Sequence, residues 1–173
     1  MSSQIPEFQP GDVPATARIA IAAARFNAPI VDELIAGCRR RLDEMKIASN
    51  RIELYRVPGA FELPLAAKLM ADSGRFAAVI CLGAVIRGDT PHFDYVAGEC
   101  ARGIQNVSLS TSIPIIFGVL TTNTDEQARQ RIGGSHGHAG ERAAEAALEM
   151  IALAHSVRLL PLAPRSAEVL SGK

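Results

Sequence analysis

Four short strand-like segments, separated by longer stretches of helical periodicity, most constrain how this chain can fold. They cover residues 18–24, 51–57, 76–82 and 114–120. The first, third and fourth are almost continuously apolar, which is typical of strands covered on both faces. Between the segments, apolar residues recur with a period near 3.6, as at Ile30, Leu34 and Cys38, and this predicts helices. The alternation predicts an α/β fold, a three-layer α/β/α sandwich with a four-stranded parallel sheet.

Both ends of the chain are predicted to lie outside this core. Residues 1–17 contain three prolines and a glycine, which forbid a long regular element and predict an N-terminal arm. The arm has no basic start leading into an apolar run, so we expect no secretory signal there. We expect the folded domain over 18–156 and a fraying tail over 157–173.

The composition argues against several classes of partner. Eighteen basic residues balance eighteen acidic ones, so the net charge gives no sign of binding to nucleic acid or to an anionic membrane. No segment approaches the ~20 apolar residues that cross a bilayer. The cysteines Cys38, Cys81 and Cys100 are scattered in apolar settings, which predicts reduced core thiols in a soluble, cytoplasmic protein.

Chemically distinctive residues follow three of the four predicted strands. Phe26 follows the first strand, the turn Pro58–Glu62 follows the second, and the loop Gly83–His92 follows the third. Parallel sheets bind ligands beyond the carboxyl ends of their strands. We therefore expect an aromatic ring, a carboxylate and a glycine-containing loop to converge on one site.

The loop after the third strand combines an expected anion site with a histidine. Gly83 and Gly88 bracket a predicted turn, Thr90 is the expected N-cap, and Pro91 fits the first position of a helix. The N–H groups at such a helix start suit a phosphate. His92 follows at once, and a histidine can carry protons near neutral pH.

Plainer interpretations of these residues stay open at the level of sequence. His92 also fits a helix-surface histidine without a role, and Glu62 fits the ordinary preference for carboxylates at a helix start. Gly83–Thr90 has the glycine spacing of a nucleotide-binding P-loop, but Asp89 stands where that loop needs a lysine. Gly133–Gly140 is predicted to form a loop, and its segment Gly133–Gly137 matches GxSxG without the preceding strand of a hydrolase elbow. The nearby pair His136 and His138 lacks a convincing third metal ligand.

Five segments together resemble the lumazine synthase family of riboflavin biosynthesis. They are Ala-Arg-Phe-Asn at 24–27, Val-Pro-Gly-Ala-Phe-Glu-Leu-Pro at 57–64, Gly-Ala-Val-Ile-Arg-Gly-Asp-Thr-Pro-His-Phe-Asp-Tyr-Val at 83–96, Ile-Ile-Phe-Gly-Val-Leu-Thr-Thr at 115–122 and Glu-Gln-Ala-Arg-Gln-Arg at 126–131. The resemblance implies a flavodoxin-like fold. It also implies condensation of 5-amino-6-(D-ribitylamino)uracil with 3,4-dihydroxy-2-butanone 4-phosphate to 6,7-dimethyl-8-ribityllumazine, without a cofactor or metal.

The resemblance also implies a role for each residue of the site. Phe26 would stack on the pyrimidine ring, Ala60, Phe61 and Glu62 would hold the ribityl chain, and Val85 and Ile86 would line the ring pocket. Gly88, Thr90 and the backbone of Asp89 would take the phosphate with the help of Arg131, and His92 would move protons. Phe117 and Arg131 would come from the adjacent subunit of a homopentamer. The resemblance leaves open pairing into decamers, closure into an icosahedral shell of sixty chains, and association with riboflavin synthase.

The chain departs from the family pattern near its last helix. A lysine common in the family is absent, with Ala139 in its place, and Arg142 stands where an acidic residue is usual. We expect His138, beside Ala139, to substitute in part for the missing cation. A non-catalytic lumazine- or flavin-binding or shell-forming relative of the same fold is the alternative function. A flavodoxin-like electron carrier is disfavoured because the expected phosphate loop follows the third strand rather than the first.

Overall fold

The computed structural model describes residues 12–159 of the chain. The elements are β1 (Ile19–Ala24), α1 (Ala28–Glu44), β2 (Ile52–Val57), α2 (Leu63–Asp72), β3 (Ala78–Ile86), α3 (His92–Thr111), β4 (Ile115–Thr122), α4 (Asp125–Arg129), β5 (Ile132–Gly134), β6 (Gly137–His138) and α5 (Ala139–Leu159). The first four strands form a parallel sheet in the order β2-β1-β3-β4. This arrangement confirms the predicted three-layer α/β/α sandwich with flavodoxin-like topology.

The sheet buries a separate apolar layer on each face. Alternate residues of a strand point to opposite faces, so Ile80 of β3 packs toward α1 and α5 while Val79 packs toward α2 and α3. Leu34 of α1 belongs to the first layer and Ile104 of α3 to the second. Because both layers are apolar, the two inner strands β1 and β3 are buried on both faces, and a ligand can approach them at their ends.

The third strand is longer than predicted, and this changes the place of Gly83. The expected turn at Gly83 is wrong, because β3 continues through it to Ile86 and pairs there with β4. A Cβ atom at Gly83 would lie 3.2 Å from Cδ1 of Leu63. Glycine at this position therefore allows α2 to pack closely against the central strand.

Two helices begin differently from the prediction. A 3₁₀ turn over Ala60–Glu62 replaces the first turn of the predicted second helix, and α2 begins at Leu63. Pro64 explains the difference, because it lacks the N–H that would bond to the carbonyl of Ala60 in an α-helix. Helix α3 begins at His92, with Pro91 flanking it and no side-chain cap, so the expected cap by Thr90 is wrong.

The last third of the chain contains two elements that the sequence pattern does not predict. β4 extends to Thr122, beyond the predicted segment 114–120, and Phe117 lies in its interior. The predicted loop Gly133–Gly140 contains the antiparallel hairpin β5–β6, and α5 begins before that loop was expected to end. Short hairpins of this length are too brief to show a strand period.

The predicted arm and tail lie largely outside the described residues. Within the described part, Arg51 donates from Nε to the carbonyl of Ala17 at 2.7 Å and from Nη2 to that of Pro14 at 2.9 Å. These bonds hold residues 14–17 against the start of β2. Helix α5 continues to Leu159, past the predicted boundary at 156. Among the helices of residues 12–159, none has both the length and the apolar character needed to cross a membrane.

Candidate active site

A cavity of about 650 Å³ opens at the carboxyl ends of the parallel strands. Its walls come from the three loops that the sequence predicts to converge, together with the start of α3. The lining residues are Phe26, Pro58, Gly59, Ala60, Phe61, Glu62, Ala84, Val85, Ile86, Gly88, Thr90, His92, Phe93, Tyr95 and Val96. The cavity is large enough for a compact two-ring compound, and its position at the sheet edge follows the rule for parallel sheets.

The turn between β1 and α1 holds an aromatic ring over the cavity. Phe26 is 71% exposed, although large apolar side chains usually pack inside. Its N–H donates to the carbonyl of Pro58 at 3.1 Å. Asn27 follows with φ of 58° and donates from its side-chain amide to the carbonyl of Ala84 at 2.8 Å. These two bonds fix the ring between the ends of β2 and β3.

The turn between β2 and α2 supplies a carboxylate and a second exposed ring. Glu62 accepts the N–H of Gly59 at 2.8 Å through Oε2, which closes the turn on itself. Phe61, its neighbour, is 58% exposed beside the cavity. The sequence left two interpretations of Glu62 open, and its carboxylate takes part in both: it caps the local turn and it lines the cavity.

The end of β3 and the start of α3 form the opposite wall. Val85 is buried at the floor, whereas Gly88, Thr90 and His92 are exposed along the rim. A Cβ atom at Gly88 would meet nothing within 4 Å, so the backbone here is open to a ligand. The rim therefore combines accessible backbone, a hydroxyl and an imidazole next to a helix N-terminus, where anions are favoured.

An arginine outside the cavity holds this wall in place. Arg87 donates to both carboxylate oxygens of Asp94, at 2.8 and 3.3 Å, and its Nε donates to Asn123 at 3.1 Å. Its guanidinium also lies 4.2 Å from the centre of the Phe93 ring. The first turn of α3, which carries His92, is thereby tied to the end of β4.

The structure brings together most of the site residues predicted from the sequence. Nine of them line the one cavity: Phe26, Ala60, Phe61, Glu62, Val85, Ile86, Gly88, Thr90 and His92. Asp89, Phe117 and Arg131 do not line it. Phe117 is 44% exposed on β4, and Arg131 donates from Nη1 to the carbonyl of Gln127 at 2.7 Å.

The expected cationic role of His138 is wrong for this geometry. The residue is 8% exposed, and a Cβ atom on Gly37 would lie 2.0 Å from its ring, so the imidazole packs directly on α1. Its Nδ1 accepts the N–H of Gly140 at 3.2 Å. Burial lowers the pKa of His138, with a smaller opposing effect from Glu141. Burial disfavours the protonated form of this imidazole, so the ring supplies packing rather than positive charge.

The side chains that line the cavity fit proton transfer rather than attack by a strong nucleophile, because no cysteine of residues 12–159 is among them. Among the described residues, no lysine or arginine lines it. Burial raises the pKa of the Cys38 thiol to about 12 and that of Cys100 to about 11, so neither forms a thiolate readily. The histidine, the hydroxyl and the open backbone amides can bind an anion and move protons between bound reactants.

The main residue that sequence reasoning missed is Tyr95. It lines the cavity from the first turn of α3 and is 70% exposed. Its position three residues after His92 places both side chains on one face of the helix, and this spacing could have revealed it. Val96, four residues after His92, also lines the cavity, and its spacing could have revealed it in the same way.

The fold and the site together define a class: a parallel α/β protein that binds small molecules at the carboxyl edge of its sheet. Residues 16–155 match the family model described as 6,7-dimethyl-8-ribityllumazine synthase. Three proteins of that same name are similar to the chain. The one from Syntrophus aciditrophicus is 52% identical over 81% of this chain and 91% of its own length.

Those from Protochlamydia amoebophila and Xanthomonas euvesicatoria pv. vesicatoria are 50% and 49% identical. Each match covers 87% of this chain, and 87% and 97% of the respective relative. The chain belongs to the 6,7-dimethyl-8-ribityllumazine synthase family. The resemblance noted in the sequence is confirmed.

Proposed function

We propose that this protein condenses 5-amino-6-(D-ribitylamino)uracil with 3,4-dihydroxy-2-butanone 4-phosphate to form 6,7-dimethyl-8-ribityllumazine. One observation carries the proposal: an exposed aromatic ring, a turn carboxylate and a histidine beside open backbone amides line a single cavity. The two substrates need a flat apolar surface for a ring, polar groups for a ribityl chain and an anion site for a phosphate. Family membership gives the same reaction.

The residues divide the work between binding and proton transfer. Phe26 would stack on the pyrimidine ring, with Val85 and Ile86 against its edge and the turn Ala60–Glu62 beside the ribityl chain. The backbone at 88–90 would take the phosphate. His92 lies on the same rim and would move protons as the imine forms, phosphate leaves and the second ring closes. Holding two reactants together can itself lower a barrier by roughly 7–11 kcal/mol.

The proposal includes a homopentamer with each site shared by two neighbouring chains. No cation of residues 12–159 lines the cavity within one chain, and Phe117 and Arg131 lie away from it. Large apolar side chains are exposed beyond the cavity as well, at Leu65, Leu69 and Leu109, as expected for surfaces that meet other subunits. In this arrangement Phe117 and Arg131 complete the neighbour's site.

The same proposal places the protein in the cytoplasm. The three cysteines are buried and unpaired, and their burial raises the pKa of each thiol. Buried free thiols fit a reducing compartment, whereas exported proteins more often pair their cysteines. Riboflavin synthase is a partner that this proposal suggests testing for.

The direct test is to mix purified protein with both substrates and follow the lumazine product by absorbance. We expect turnover above the uncatalysed rate. Arg131→Ala should raise the KM of the phosphate-bearing substrate by about tenfold or more, because a charge-assisted hydrogen bond contributes ~1.5–3 kcal/mol. Tight binding of product without turnover would instead favour a non-catalytic binding protein.

A further inference from the structure

A second cavity, of about 240 Å³, lies between β4 and α5 at the edge of the sheet. Its lining includes the exposed ring of Phe117 on the strand side and Arg142 on the helix side. Every other lining residue is glycine or apolar. A guanidinium and an aromatic ring therefore share one groove, away from the cavity that contains His92.

Arg142 carries a charge that no carboxylate in the described part of the chain pairs with. Its Nη1 donates to the carbonyl of His136 at 3.1 Å, and no residue among 12–159 forms a salt bridge with it. The nearest carboxylates along the helix, Glu141 and Glu145, are bound instead by two arginines of α1, at 2.5 and 2.7 Å. The guanidinium keeps most of its N–H groups for an outside acceptor.

The helix dipole does not favour a cation at this position. Arg142 is the fourth residue of α5, and the positive end of a helix disfavours cations in its first turn. Stability alone would favour an acidic or neutral residue there. An arginine at this end of a helix, beside an exposed aromatic ring and without a carboxylate partner among residues 12–159, is available to bind an anion.

Arg142 also lies on the same edge as Arg131. The N–H of Ala139, the first residue of α5, donates to the carbonyl of Arg131 at 2.8 Å. Ala139 itself lines the second cavity. The groove with Phe117 and Arg142 thus adjoins Arg131, and the proposed function brings this edge to the neighbouring chain's active site.

We propose that Arg142 is an additional anion-binding residue, which donates to the phosphate monoester of the substrate in the neighbouring chain's site alongside Arg131. A phosphate dianion offers three strong acceptor oxygens, enough for two guanidinium groups and the backbone at 88–90. Charge-assisted bonds of this kind are short and strong. The inference rests on the proposed function, since it requires the shared site described above.

The test compares two substitutions in the assembled protein. Arg142→Gln keeps a donor for the carbonyl of His136 but removes the charge, and Arg142→Lys keeps the charge. Arg102→Ala serves as the control, because Arg102 is an exposed cation on α3 that forms a long ion pair with Glu99, at 3.8 Å. For each protein, the KM of both substrates is measured, and inorganic phosphate is titrated by calorimetry.

We expect Arg142→Gln to raise the KM of the phosphate-bearing substrate and the Kd of inorganic phosphate about tenfold, as for one lost charge-assisted bond. The KM of the uracil substrate should stay near the wild-type value, Arg142→Lys should restore part of the loss, and Arg102→Ala should change nothing. Equal rises in both KM values, or an unchanged phosphate Kd, would overturn the inference.

The phosphate titration also separates this inference from the proposed function. A wild-type protein that binds phosphate through Arg142 but makes no lumazine would overturn the function and keep the anion site. If the wild type makes lumazine and Arg142→Gln matches it in every constant, the function stands and the anion-binding role of Arg142 is overturned. Absence of both turnover and phosphate binding would overturn the two together.

Discussion

Asn27 sets the position of the ring that faces the cavity, and it does so through two separate properties. Its backbone adopts φ of 58°, a left-handed conformation that most residues avoid, and its amide bonds to the carbonyl of Ala84 at 2.8 Å. Asparagine is among the few non-glycine residues that tolerate this conformation. The residue thus joins the ends of β1 and β3 directly beneath Phe26.

Two substitutions separate the backbone effect from the hydrogen bond. Asn27→Gly should cost about 1 kcal/mol, because it removes the bond but allows the conformation. Asn27→Ala should cost about 2 kcal/mol or more, because it also places a Cβ atom in the left-handed region. Urea unfolding of the two variants at one protein concentration measures the difference. Equal midpoints would show that the backbone conformation contributes nothing.

Glycine plays a different part where α1 and α5 cross. A Cβ atom at Gly140 would lie 2.2 Å from the carbonyl oxygen of Leu34, which is backbone and cannot rotate away. Gly140→Ala should therefore lower the free energy of unfolding by roughly 1–3 kcal/mol. Gly98→Ala is the matched control within a helix, since nothing lies within 4 Å of its added Cβ.

Gly98→Ala should leave stability unchanged or raise it by up to about 1 kcal/mol through helix propensity. Thermal unfolding of the two variants, recorded side by side, checks both expectations. A loss of stability at Gly98 as large as at Gly140 would contradict the close approach of the two helices.

On the edge strand β2, a cluster around Glu53 links stability to pH. Hydrogen bonds from Tyr55 and Arg18, and a smaller contribution from Arg75, lower the pKa of Glu53 to about 2. In the unfolded chain the group titrates near 4.5. Ionised Glu53 therefore stabilises the folded state above pH 4.5, and this stabilisation is lost as the pH falls from 4.5 toward 2.

Glu53→Gln tests this linkage, because it removes the titrating group and keeps a similar shape. The melting temperature of the variant should fall less steeply than that of wild type between about pH 4.5 and 2, while the two curves run parallel at neutral pH. Lys68 pairs with Asp72 on the exposed face of α2, so Asp72→Asn serves as a surface control. Parallel curves throughout would contradict the assignment.

At the level of whole elements, the strands and helices could be predicted because burial on both faces imposes continuous apolar runs. The full extent of β3 could not be predicted, because its last residues are strand through pairing with β4, which their local sequence pattern does not show. The hairpin β5–β6 is too short to show a period. For the site, the convergence of Phe26, Glu62 and His92 followed from topology alone.

Other parts of the site depend on contacts that no local pattern records. The sequence shows that a histidine stands at 138, but only the packing of its ring on Gly37 shows that it is buried and neutral. Similarly, the carboxylates near Arg142 form ion pairs with arginines of α1, which lie about a hundred positions away in the chain. Such pairings are properties of the fold and cannot be read from neighbouring residues.

At the scale of the whole molecule, the proposed function divides the active site between two edges of the chain. One edge of the sheet has the cavity with His92, which no cation in the described part of the chain lines, and another has Phe117 beside Arg142 and near Arg131. A closed ring of identical chains would bring unlike edges together, as in any head-to-tail interface. Sedimentation should show a pentamer, and a stable monomer with full activity would contradict the shared site.

The most direct measurement of the central claim is lumazine formation by mixed rings of two defective chains, His92→Ala and Arg131→Ala. Each variant alone should be impaired at every site. With random mixing, about a quarter of the sites in co-assembled rings would join an intact His92 to an intact Arg131, so activity should return toward that fraction of wild type. If mixed rings are no more active than the two variants assayed separately, then the site does not lie between neighbouring chains.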